Sequence, residues 1–166
     1  MKVTVSEPAA FSQAANRIKL SSQTLEVVLF SLVLLVGLVS RFADLGVRVM
    51  SHDETQHTYF SWLLYQGGGY QHTPLTHGPL QFHLIALSYA IFGDTDTAAR
   101  IPHALAGAAA LAVLWLFRRY SGRSGALVTA FLLLISPFIL YYSRYARNEA
   151  FVVLFGLVTI WALLRY

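Results

Sequence analysis

The chain has 166 residues, 56% hydrophobic and only 12% charged, with no cysteine and a formal net charge of +4. A soluble domain carries roughly 25% charged residues, so the deficit excludes an ordinary water-soluble core, and the missing cysteines exclude disulfides and thiolate metal sites. The basic balance would suggest nucleic acid in a soluble domain. Here long uncharged runs flanked by Lys and Arg explain it instead, so the reading is an all-α integral membrane protein with no nucleic-acid partner.

Residues 1–19 read as a cytoplasmic tail and 20–166 as a membrane domain. The first apolar run, Leu20 to Ser40, is broken only by Glu26. It begins too far into the chain for a signal peptide, and no small-x-small cleavage pattern precedes Arg41, so it is expected to be an uncleaved anchor. Four spans are predicted, at about 20–41, 99–117, 124–143 and 149–165, against a requirement of about 20 helical residues per crossing. The fourth reaches that length only with its flanking residues. Pro137 falls inside the third and is expected to kink it.

Orientation follows from the basic residues. Arg118, Arg119 and Arg123 crowd a very short turn, which places that turn and the N-terminus on the cytoplasmic side of the cell membrane. Every acid except Glu7 and Glu26, and all six histidines, then fall outside. The outer loop, 42–98, is divided by Gly67–Gly69, Thr73-Pro74 and Gly78-Pro79 into at least two short helices. One of them, Pro79 to Phe92, is apolar but too short to span, as in an interfacial or re-entrant helix.

Three constellations in the outer segments carry chemistry. In "SHDETQH", His52 and His57 are five apart, about 140° around a helix, so the i, i+4 zinc-protease geometry fails. Asp53 and His57 are four apart and share a face, where they could hold a divalent cation or act as base and orienting partner. The plainer alternative is that Ser51, His52 and Asp53 cap a helix beginning near Glu54. In "THGPLQFH", Pro79 suits a first helical turn and puts His77 at the mouth of that helix. In "YYSRYARNEA", Arg144 and Arg147 offer guanidinium forks that match phosphate; ordinary aromatic-belt and snorkelling residues would look the same.

Taken in order, these segments resemble the GT-C class of membrane glycosyltransferases, in particular the protein O-mannosyltransferase and aminoarabinose-transferase type and relatives associated with lipid-linked glycosylation. An outward Asp53-Glu54 follows the first span. The block "THGPLQFHLIALSYAIFGDTDTAARIPHALAG" resembles the family's "HPPL…G…ARLP", and after a short basic turn "SPFILYYSRYARNEAF" resembles its "SP…YSR-x-AR-x-D". Gly78 stands where the family has a first proline, and Glu149 where Asp is common. Such enzymes have more spans, and the chain looks like the N-terminal part of one.

The resemblance implies inverting transfer of a sugar from a polyprenyl-phosphate donor to an acceptor on the outer face. It assigns Asp53 as general base or metal-positioning carboxylate and Glu54 as the residue that orients the acceptor or supports Asp53. His77, Arg144 and Arg147 would bind substrate. Asp53, His57 and Glu149 would supply ligands if a divalent metal such as Mg or Mn is used. The lipid-linked donor, membrane lipids and other membrane subunits are the implied partners. A competing reading is a non-catalytic accessory subunit, for which the small residues of Ala104 to Ala112 would suit packing against a larger membrane complex. A histidine-rich metal transporter fits less well, because the ionisable cluster lies outside the predicted spans.

Overall fold

The computed structural model describes residues 21–76 and 78–166, so the predicted tail and His77 lie outside the described residues. Within them the chain is all-helical, with no strand. The helices are α1 (Ser22–Phe42), α2 (His52–Tyr65), α3 (Pro79–Phe92), α4 (Asp96–Ile135), α5 (Pro137–Ser143) and α6 (Glu149–Arg165). Two of these, α1 and α4, are long and apolar enough to cross a membrane.

Helix α1 is capped by Ser21, whose hydroxyl accepts from the Thr24 amide at 3.1 Å, and it is inside-out. Its buried residues are Glu26, Phe30, Gly37 and Arg41, all on one stripe, while Leu25, Leu29, Leu32, Leu35 and Val39 are exposed. Burying charges and exposing leucines is the pattern of a helix suited to hydrocarbon surroundings.

The 40-residue α4 is not a single rod. Leu114 and Ala130 share one core cluster with Phe30, and both Leu111 and Leu134 flank Gly37. At 1.5 Å per residue, 16 and 23 positions along a straight helix would separate those pairs by about 24 and 34 Å. The helix therefore folds back, and it does so at Gly122, whose φ of 73° and ψ of 171° interrupt it. That combination is essentially restricted to glycine. Arg123 then reaches Glu26 at 3.2 Å, tying the turn to the start of α1.

The third apolar run is split where its proline stands. Helix α4 ends at Ile135, Ser136 caps the next helix through the Ile139 amide at 3.4 Å, and Pro137 opens α5 at its first position. The expected kink is thus a full break. The small residues of the Ala104–Ala112 stretch are consumed inside the chain: Ala104, Ala106 and Ala110 are buried, and Gly107 meets Ser143 of α5.

In the outer segment, α2 begins at His52 with a complete capping box, Ser51 and Glu54 bonding reciprocally. Helix α3 occupies Pro79–Phe92, the residues of the short apolar stretch, and ends at Gly93 with φ 84°. It packs on α2 and α4 through Ile85 and Tyr89, against Ala98 and Ala99 of α4 and Ala146 of the turn after α5.

Candidate active site

The site is built on the capping box. Because Glu54 is the third residue of α2, its carboxylate turns back toward Ser51, whose amide it accepts at 3.2 Å. It is fully buried there, and the rest of its oxygen capacity is taken by distant partners. Arg100 donates from Nε at 2.9 Å and Nη2 at 3.1 Å, the Ala146 amide at 3.0 Å, and Arg48 from Nη2 at 2.8 Å. Burial works to raise the Glu54 carboxyl, but the Arg100 guanidinium and the Ala146 and Ser51 amides outweigh it and hold it below the usual carboxylate range.

An ionised carboxylate offers about four lone-pair sites, and Glu54 already accepts five hydrogen bonds. Of the two roles expected of it, orienting an acceptor would need a free lone pair. Supporting Asp53 by fixing the start of α2 is the role its geometry allows.

Asp53, one residue earlier, points the other way. Its side chain is 45% exposed and accepts from Arg147 Nη1 at 2.8 Å; Arg147 Nε in turn meets Glu149 Oε1 at 3.2 Å. One guanidinium therefore spans the acids of two outer segments 96 positions apart, Asp53 after α1 and Glu149 at the start of α6. Neighbouring this triad, Arg48 lies over the rings of Tyr141 and Tyr145, 5.1 Å from each centroid. Ser51 shares a short hydrogen bond with the Tyr145 hydroxyl. Partial burial raises the Tyr145 phenol above its ordinary value, the Ser51 bond opposes this, and the nearby Asp53 charge adds to the rise.

The remaining expected residues are placed differently. Arg144 donates to the carbonyls of Ser40, Ala43 and Asp44 at 3.2, 2.6 and 3.2 Å, so it caps the C-terminus of α1 instead of facing a phosphate. His57 is buried, with Nδ1 3.0 Å from Gln81 Nε2 and its ring against Phe82. Asp53, His57 and Glu149 are not assembled as ligands: the two acids both sit on Arg147, and His57 is turned into the core. Among the described residues no three His, Asp or Glu side chains are grouped to hold a metal, so the donor set does not fit a three-ligand ion site. His52 contacts Gln56 at the surface, and His103 is buried within α4.

Arg48 and Arg100, which no sequence motif singles out, carry the core of the site through their bonds to Glu54. Nothing in local spacing signals it, since their partners are reached only through tertiary folding. An apolar groove of about 390 Å³ runs between α3, α4 and α6, lined by Leu84, Ile91, Pro102, Leu105, Phe151 and Phe155.

The family model for dolichyl-phosphate-mannose-protein mannosyltransferases matches residues 76–166, more than half of the chain, taking in Arg100, Arg147 and Glu149 but stopping short of Asp53. No curated protein and no solved structure matches the chain.

Proposed function

We propose a function from one premise: the chain belongs to the dolichyl-phosphate-mannose-protein mannosyltransferase family, and is thereby a membrane glycosyltransferase of the kind that draws on a lipid-linked sugar. The donor is a polyprenyl-phosphate sugar, and transfer takes place on the outer face of the cell membrane. Four crossings fit the helices: α1, the two antiparallel halves of α4 with α5 extending the second, and α6. The N-terminus and the Gly122 turn are cytoplasmic.

The observation that carries this reading is the contact of Asp53, Arg147 and Glu149. It joins the acid after the first span to the second acid position of the resembled pattern. Asp53 is the general base. It takes the proton of the acceptor hydroxyl as that oxygen attacks the anomeric carbon, while the bond from that carbon to the phosphate oxygen breaks and its electron pair leaves with the lipid phosphate. Arg147, half exposed between the two acids, orients Asp53 and supplies positive charge for the leaving phosphate. The apolar groove beside α3 receives the lipid chain. No step is assigned to a metal, because the acids are engaged by Arg147.

The test is sugar transfer from a polyprenyl-phosphate-mannose donor in membranes from cells expressing the gene. Asp53→Asn keeps shape and cannot accept a proton at neutral pH, so transfer should fall by about 10²–10⁴-fold. Transfer at the parental rate would reduce Asp53 to a helix-start residue.

A further inference from the structure

Arg41 is completely buried near the end of α1. Its Nη1 donates to the Gly37 carbonyl and to Ser40 Oγ, both at 3.2 Å, while Nε and Nη2 find no partner. Arginine does not lose its proton in proteins, and an unbalanced guanidinium between helices is costly. Across the bundle Glu149 shows the complementary lack. Its Oε1 meets Arg147, but its Oε2 is buried without a partner.

Gly107 of α4 lies between them. A Cβ there would sit 2.2 Å from Ser143 Oγ and 3.3 Å from Arg41 Nε, so the bare backbone is what lets the guanidinium and the hydroxyl approach the same point. On the same glycine opens a void of about 10 Å³, walled by Gly107, Tyr142, Ser143 and Glu149. That is the size that holds one water. Ser143 donates its own proton to the Ile139 carbonyl at 2.6 Å and keeps lone pairs for accepting.

We infer that Arg41 and the buried Oε2 of Glu149 form a charge pair bridged by a single water beside Gly107 and Ser143. The water donates one proton to Glu149 Oε2 and the other to Ser143 Oγ, whose remaining lone pair accepts from the Arg41 guanidinium. Glu149 is then held by two guanidiniums, Arg41 from the bundle and Arg147 from the outer surface. The pair ties α1 to the start of α6 whether or not the chain transfers sugar.

A melting-temperature cycle on the full chain in detergent tests it, using Arg41→Gln, Glu149→Gln and the double variant. Arg41→Gln should lower Tm by about 5–15 °C, the range for breaking a buried pair in a chain of this size. Glu149→Gln should cost less Tm in the Arg41→Gln background than in the parent, because only the exposed contact with Arg147 is then left to lose. Losses that add would overturn the pair. If Arg41→Gln does not accumulate, Arg41→Lys replaces it in the cycle: its loss of Tm should be smaller in the Glu149→Gln background than in the parent, and an equal loss in both would overturn the inference.

Discussion

Replacing Glu54 by Gln separates the two neighbouring acids by what each holds together. The change keeps size but puts an amide nitrogen where an oxygen now accepts. In one orientation that nitrogen faces the donors of Arg100, Arg48 and Ser51; in the other it faces Arg100 Nε and the Ala146 amide. Either way donor meets donor, and Arg100, with no exposure of its own, loses its countercharge. Removing one partner of a buried ion pair costs about 3–5 kcal/mol, a fall in Tm on the order of 10 °C for a chain of this length. Asp53→Asn disturbs only a contact whose partners are 45% and 43% exposed, and exposed pairs of that kind contribute less than about 1 kcal/mol. Thermal unfolding of both variants in one detergent, followed by tryptophan fluorescence, makes the comparison. Glu54→Gln should melt far below the parent and Asp53→Asn close to it. A Glu54→Gln protein within about 2 °C of the parent would refute the assignment of Glu54 as the residue that holds α2, α4 and the turn after α5 together.

The same carboxylate predicts an acid limit. Its pKa is lowered in the folded chain, so the stability it contributes is complete above its ordinary value of 4.5 and is lost as pH falls below that toward the folded value; Tm measured from pH 8 to pH 3 should hold level above about pH 5 from this group and then drop, with a shallower drop in Glu54→Gln. Gly122→Ala places a side chain at φ 73°, ψ 171° and should cost about 1–3 kcal/mol, read as a lower Tm, whereas Gly125→Ala within the same helix should cost less. Cysteines at Gly68 and Ser121 should differ toward an impermeant thiol reagent on intact cells, with labelling at 68 and none at 121; the reverse pattern would invert the topology.

Much of the architecture was legible because it follows from one-dimensional signals. Apolar run length marked α1 and the two halves of α4, the Pro79–Phe92 stretch gave α3, and the cap of α2 was legible at Ser51 to Asp53, although the helix begins at His52 and not near Glu54. The fold-back was legible as a short basic turn, although the residue that makes it possible is Gly122 and none of the arginines around it. What could not be read is which of two adjacent acids is buried. Asp53 and Glu54 differ by one step of 100° around α2, and the direction of the core is set by α3 and by the turn after α5, which no local pattern specifies. For the same reason Arg144 and Arg147, alike in sequence, part company: one closes the end of α1 and the other bridges two acids.

The hydrogen bonds that converge on Glu54 also set an order of events during synthesis. Its partners Arg100 and Ala146 lie 46 and 92 residues further along the chain. At about 5–20 residues per second, the second of them emerges roughly 5–20 s after Glu54 itself. Over that interval the segment between α1 and α4 lacks the backbone amide that completes its closure, so it stands open to proteases and to chaperones. A pause in translation just before Ala146 would lengthen that exposure, while one placed after the turn would not.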